Sequence, residues 1–200
     1  MRKFVFLLFF LTTSTGFTAE GNPSAGQEKS AACAACHGAY GVSSNPEWPS
    51  IAGQHAGYLF TQLKLFKEGQ KRNNPLMAGP VAELTEQDMR DLAAYYSQQK
   101  LPEGETPKKF IKPGEKLYRG GDLDKHISAC IGCHGPRGLG NAQAHFPVLS
   151  GQQPVYIVNT LEDYRSGKRT SDMFSIMRDI SSRMSKEDME AVANYVSGLH

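Results

Sequence analysis

Apolar residues recur along this 200-residue chain at the three- and four-residue spacings of amphipathic helices. Leu59, Leu63 and Phe66 put one such stripe on a segment running roughly from His55 to Glu68. Val158, Leu161 and Tyr164 put another on a segment beginning at Pro154. Gly69 and Gly167 stand where the stripes end, as helix-stopping glycines do. Two later segments begin at Thr85 and Ser185, with Asp88 and Asp188 three residues on, a start resembling a capping box. Ser24 is placed to cap a short early helix, and Pro113-Gly114-Glu115 opens its counterpart further along. No stretch sustains period-two alternation, so the pattern predicts an all-α fold.

The N-terminus breaks this pattern. Met1-Arg2-Lys3 precede an unbroken apolar run from Phe4 to Leu11 and a small, hydroxylated stretch ending at Ala19. Basic start, short apolar centre and small-residue end make residues 1–19 a secretory signal peptide, with cleavage expected after Ala19. The run is far short of the ~20 residues that span a bilayer. No cysteine lies near that boundary, which excludes a lipoprotein anchor.

The helical pattern is also written twice. Trp48-Pro49-Ser50-Ile51-Ala52-Gly53-Gln54 aligns with Phe146-Pro147-Val148-Leu149-Ser150-Gly151-Gln152. Tyr58 then matches Tyr156, Leu63 matches Leu161, Gly69 matches Gly167 and Tyr95 matches Tyr195. Two tandem domains related by internal duplication follow, at residues 20–98 and 114–200. Residues 99–113 join them and contain Pro102, Gly104, Pro107 and Pro113, a density that stiffens a linker. Outside the leader, basic and acidic residues balance at twenty each. That balance excludes a nucleic-acid binder.

All four cysteines fall in two copies of one motif, Cys33-Ala-Ala-Cys36-His37 and Cys130-Ile-Gly-Cys133-His134. Cys-x-x-Cys-His is the attachment signature of c-type haem. Two thiols one helical turn apart can add to the two vinyl groups of one porphyrin, and the histidine then lies under the iron as its proximal ligand. A zinc site of paired cysteines would bring the pairs within roughly 15–20 residues, whereas here 93 residues intervene. A thioredoxin-like pair belongs beside a strand-helix-strand pattern, and plain disulfides give no reason for either histidine. The expected cofactors are therefore two covalently bound haem c groups. Covalent haem attachment outside the cytoplasm agrees with the leader and places the protein in the periplasm.

Each iron needs a ligand on its far face, and the repeat provides a test. Counted back from the shared final helix, Met77 matches Met177, whereas Met173 and Met184 match Asn73 and Leu84. Met89 and Met189 also recur, but inside an amphipathic helix whose apolar residues face a core. Met77 and Met177 are expected in an irregular stretch before that helix, where a loop can fold over the iron. His55, His126, His145 and His200 do not recur in register and are not expected to be ligands. The carbonyls of Pro49 and Pro147 are candidates to accept the ring N–H of the proximal histidines. Trp48 and Phe146 are read either as packing on a haem edge or as core.

Together these residues resemble the cytochrome c4 family, dihaem carriers built from two fused class I cytochrome c domains. The resemblance covers essentially the whole mature chain. It rests on both Cys-x-x-Cys-His-Gly motifs, on Pro49 to Gln54 and Pro147 to Gln152, on Gly114 to Gly121, on Ile176-Met177-Arg178 and on the closing Tyr195 to His200. It implies that Cys33, Cys36, His37 and Met77 hold the first haem, and Cys130, Cys133, His134 and Met177 the second. His37, Met77, His134 and Met177 are then the iron ligands. It also implies two domains related by a pseudo-twofold axis, no catalytic residues, a quinol-oxidising complex as electron donor and a haem-copper terminal oxidase as acceptor. Asn73 to Pro80 is richer in proline than the family pattern. A dihaem enzyme would need an open or displaceable ligand, which two in-register methionines argue against. A dedicated electron-transfer subunit of a periplasmic dehydrogenase shares the same haem chemistry, so it stays an alternative. Peripheral association with the membrane surface also stays open.

Overall fold

Five α-helices and a connecting segment precede five more in the computed structural model, which describes residues 20–200; the expected signal peptide lies outside that range. The first set comprises α1 (Pro23–Lys29), α2 (Ala31–His37), α3 (Ala56–Glu68), α4 (Pro75–Ala82) and α5 (Glu86–Ser97). The second comprises α6 (Lys108–Glu115), α7 (Ile131–His134), α8 (Pro154–Arg165), α9 (Ile176–Ser182) and α10 (Lys186–Ser197). Among the described residues, extended backbone pairs only as isolated bridges. The all-α expectation holds.

Local chemistry explains most boundaries. Thr85 and Ser185 each close a complete capping box with Asp88 and Asp188, starting α5 and α10 where the spacing predicts. Gly69 ends α3 in the left-handed conformation (φ 69°). At the N-terminus Asn22, not Ser24, is the cap. Its side chain accepts from the N–H groups of Ser24 and Ala25, and Pro23 takes the first helical position, where a missing N–H costs nothing. The second unit also starts earlier than Pro113-Gly114 suggests. Helix α6 begins at Lys108 and carries Pro113 inside it, before widening into a π-turn at Lys116–Gly120. The proline leaves one carbonyl without its helical donor, yet the helix persists because Gly114 is pressed onto α10. The last residues of the expected linker are thus helix.

In each half, two helices pack across the last one: α1 and α3 on α5, and α6 and α8 on α10. Two separate cores result. Leu59, Leu92, Ala93, Tyr95 and Tyr96 form the first; Leu117, Tyr118, Leu161, Met189, Val192 and Val196 lead the second. Each leucine, valine or methionine among them contributes about 1.5–3 kcal/mol on full burial. The crossings depend on two glycines. A Cβ on Gly26 would run into the Asp91 carbonyl oxygen, and one on Gly114 would run into Tyr195 Cβ and the Ala191 carbonyl. Backbone therefore rests on backbone at both crossings.

The first crossing is also polar. Asp91, 3 % exposed, accepts from the Asn22 N–H at 2.8 Å, Lys29 Nζ at 2.8 Å and Gln87 Nε2 at 2.8 Å. Burial pushes its carboxyl up, but Lys29, Asn22 and Gln87 outweigh it and hold the group below the ordinary carboxylate range. The stability this gives is present above the unfolded-state value near ~3.9 and is lost as pH falls from there through the lowered native value.

Two outcomes are expected. Gly26→Ala or Gly114→Ala should cost about 1–3 kcal/mol or more by overpacking, read as a lower midpoint in thermal unfolding of the affected half. The melting temperature should fall on acidification below about pH 4, and Asp91→Asn should flatten part of that dependence. An unchanged pH profile in the Asp91 variant would show that other carboxylates govern it.

Candidate haem centres

Helix α2 carries Cys33, Cys36 and His37 at positions i, i+3 and i+4, so all three share one helix face. In the second half Cys130 is the residue before α7, and Cys133 and His134 sit in its single turn. Cys36 and Cys133 are exposed, Cys33 and Cys130 are half-buried, and none of the four is in a disulfide. Burial pushes the Cys33 thiol up and the Cys130 thiol up to about 11. Within each pair the cysteines are one helical turn apart, the spacing at which both can add to the vinyl groups of one porphyrin.

The histidines beside them are buried, 8 % exposed at His37 and 7 % at His134. His37 Nδ1 lies 2.8 Å from the Pro49 carbonyl oxygen, and His134 Nδ1 lies 3.0 Å from that of Pro147. A carbonyl can only accept, so Nδ1 carries the proton and Nε2 keeps its lone pair. Burial lowers the pKa of both imidazoles, against the carbonyl, which favours the charged form; at His37 the Arg72 charge lowers it further. Each ring is therefore neutral, in one tautomer and fixed in direction, which is the state that ligates a metal. Phe146 stands beside the second imidazole, its ring centroid 6.3 Å away.

The loops that supply these carbonyls also join the halves. Gln54, in the first, donates Nε2–H to the Val148 carbonyl at 3.0 Å and accepts the Val148 N–H at 2.9 Å. Gln152, in the second, donates to the Ser50 carbonyl at 2.8 Å and accepts the Ser50 N–H at 2.9 Å. Ser50 and Val148 occupy matching places, so the contact is its own mirror under a twofold operation. Ser50 follows Pro49 and Val148 follows Pro147. His37 and His134 are consequently linked through the two loops and their glutamine clamps. The repeat made Gln54 and Gln152 visible as matching residues, but nothing in sequence reveals that each reaches into the other domain.

The methionines depart from expectation. Met77 and Met177 lie in helices, not irregular loop. Met77 is the third residue of α4, which starts at Pro75 under an Asn74 cap. The local proline richness thus initiates a helix instead of a loop. Met177 is the second residue of α9, reached through left-handed Phe174 (φ 53°) and Ser175 (φ 61°) and anchored by Asp172, which accepts from Arg178 N–H at 3.0 Å and Nε at 2.7 Å. Met177 packs against the same core as Cys130, and Cys33 packs against the first core.

Known proteins place this geometry. The family model described as Cytochrome c matches residues 24–100 and again 111–200. A cytochrome c4 of Stutzerimonas stutzeri is 42 % identical over the full length of both chains. The crystal structure of reduced recombinant cytochrome c4 from Pseudomonas stutzeri superposes with a TM-score of 0.87 at 44 % identity, covering 90 % of this chain and 100 % of that one. The chain belongs to the cytochrome c4 family. A thiosulfate dehydrogenase electron acceptor of Thiomonas intermedia (strain K12) is also similar, 34 % identical over 98 % of this chain and 94 % of its own.

As a cytochrome c4 the chain holds two covalent haem c groups and is an electron carrier, not an enzyme. The side chains fit that group: two cysteines one helical turn apart, each pair followed by a buried imidazole presenting Nε2. No helix among the described residues is long and apolar enough to cross a membrane.

Removing a clamp should loosen the halves. Gln54→Ala or Gln152→Ala leaves one buried N–H and one buried carbonyl unpaired, each costing about 1–3 kcal/mol. Amide exchange at Val148 or Ser50 should accelerate, and protease should cut faster within residues 99–107, while both haems stay attached. Unchanged exchange would show that the clamp does not hold the interface.

Proposed function

We propose that His37 with Met77, and His134 with Met177, close the two irons on both faces. We infer further that residues 20–98 and 108–200 are the two haem domains of a periplasmic carrier exported by its leader. Its donor is a quinol-oxidising complex and its acceptor a haem-copper terminal oxidase. Each bound haem supplies a one-electron ferric/ferrous couple. The observation that carries the reading is the duplicated environment: a neutral, carbonyl-oriented imidazole and a register-matched methionine on the helix before the last, twice over. Methionine sulfur favours the reduced iron and raises the potential, as suits a carrier feeding an oxidase.

The chain's own part in electron transfer is to hold the ligands still. Pro49 and Pro147 fix the imidazoles by hydrogen bonds from Nδ1. The caps of α4, and the Asp172–Arg178 pair at α9, fix the methionine-bearing helices. A coordination sphere already set in both oxidation states needs little rearrangement when charge changes.

A second reading, a dedicated acceptor for a periplasmic thiosulfate dehydrogenase, is favoured by the Thiomonas relative. Reduction assays separate the two. Rapid reduction by quinol-oxidising membranes and reoxidation by a haem-copper oxidase support the first. Reduction by thiosulfate dehydrogenase alone supports the second.

The ligand assignment predicts a reduced spectrum unchanged by carbon monoxide. Met177→Ala should keep two covalent haems but bind carbon monoxide at the second, while Met173→Ala should not. Binding by the Met173 variant alone would overturn the assignment.

A further inference from the structure

Each half buries a tyrosine beside the first cysteine of its haem motif, but the two tyrosines come from different helices. The helix crossings set the register. Gly26 is pressed on the Asp91 carbonyl and Tyr95 Cβ, and Gly114 on the Ala191 carbonyl and Tyr195 Cβ. Four residues after these glycines, Ser30 matches Tyr118; one residue after the facing tyrosines, Tyr96 matches Val196. Ring and smaller side chain have thus exchanged helices. Buried Tyr96 fills the first core from α5, and buried Tyr118 fills the second from the π-turn that follows α6. Cys33 packs against the cluster that holds Tyr96, and Cys130 against the one that holds Tyr118.

The exchange aims the two hydroxyls differently. Tyr118 Oη donates to the Gly135 carbonyl at 2.5 Å. Gly135 directly follows His134, and the same carbonyl accepts the Gly138 N–H at 3.2 Å, which closes the turn leading from the motif toward Pro147. The Gly140 N–H then donates back to the His134 carbonyl at 2.9 Å, and the Leu149 N–H to the Gly138 carbonyl at 2.7 Å. In the first half the Gly41 N–H closes the matching turn on the Gly38 carbonyl at 3.0 Å. There the Tyr96 hydroxyl lies 3.5 Å from the Ser30 carbonyl, on the chain entering the motif and not on the turn leaving it. Burial holds both phenols well above their ordinary pKa, so each hydroxyl keeps its proton to donate. The phenol therefore fastens the second turn and not the first.

We propose that Tyr118 is a positioning residue for the second haem: its hydroxyl fixes the turn after His134 and, through it, the hydrogen bond from His134 Nδ1 to the Pro147 carbonyl. That bond sets how strongly the imidazole donates to a metal, because a ring that gives its Nδ1 proton to a carbonyl is more basic at Nε2. A more basic ligand favours ferric iron. Loosening the turn weakens the bond and raises the potential. The first haem has no such adjustment, so one hydroxyl makes the two centres unequal. The inference rests on His134 as the proximal ligand and not on which partners exchange electrons with the protein.

The test compares Tyr118→Phe with Tyr96→Phe in the dihaem protein. Each variant keeps its ring in the core and loses one oxygen, and the Gly135 carbonyl keeps the Gly138 N–H. Solvent exchange of the imidazole Nδ1 protons is followed by NMR in the reduced, diamagnetic state, and both potentials by spectroelectrochemical titration. In Tyr118→Phe the His134 Nδ1 proton should exchange about fivefold faster, as loss of one hydrogen bond allows, while that of His37 is unchanged. The second haem's ferric/ferrous equilibrium should shift about twofold toward ferrous, ~18 mV for one electron, with the first unmoved. Tyr96→Phe should leave both proton exchange rates and the second potential as they are. A Tyr118→Phe protein that melts lower with its His134 proton and second potential unchanged would show that the phenol only packs, and would overturn the inference. Equal shifts at both haems would overturn it too. A wild-type His134 proton without the ring-current displacement of a haem ligand would overturn the ligand assignment and this inference with it; a displaced proton whose exchange ignores the variant overturns this inference alone.

Discussion

The whole arrangement depends on one loop, present twice, whose backbone serves two purposes at once. At Pro49 and Pro147 its carbonyl fixes the proton on Nδ1 of a buried imidazole and leaves the lone pair on Nε2. One residue later, the same backbone offers its N–H and carbonyl to a glutamine from the other domain. Ligand orientation and domain docking are therefore one structural event. A disturbance of either loop reaches both imidazoles, because the hydrogen bonds run through adjacent peptide units.

The duplication is close in the proximal half of each centre and looser on the methionine side. Helix α4 starts from a proline under an asparagine cap. Helix α9 is reached through two consecutive left-handed residues, a conformation that costs energy for side chains such as Phe174 and persists only where neighbours enforce it. The Asp172–Arg178 pair supplies that enforcement. The Arg72 charge also lowers the His37 pKa, whereas at His134 burial works against the Pro147 carbonyl. Two sites built from one plan thus sit in different fields, which suits a carrier whose haems need not be equivalent.

Helices and haem motifs were legible because their physics is local. The stripe of Leu59, Leu63 and Phe66, the boxes at Thr85–Asp88 and Ser185–Asp188, and the Cys-x-x-Cys-His turns each depend on residues within a few positions of one another. The early cap went to Asn22 instead of Ser24 because both are capable and the proline at position 23 decides between them. Helix α6 ran back through Pro113 because the close fit of Gly114 on α10 outweighs one lost hydrogen bond. That contact is between residues far apart in sequence and leaves no local trace.

Composition, spacing and repetition by themselves determined the fold class and the number of haems, and singled out His37, His134 and the register-matched Met77 and Met177 as the candidate ligands. Tertiary structure alone decided that Gln54 and Gln152 cross between domains and that Arg72 and Arg169 converge on the Gln62 side-chain oxygen. The glutamines recur in register, but a repeat says which residues match and not what they touch. The arginines do not even match: counted from Gly69 and Gly167, Arg169 aligns with Lys71 and Arg72 with Thr170. Their meeting depends on the side-by-side docking of two segments, and such long-range geometry is set by packing across an interface, not by spacing along the chain.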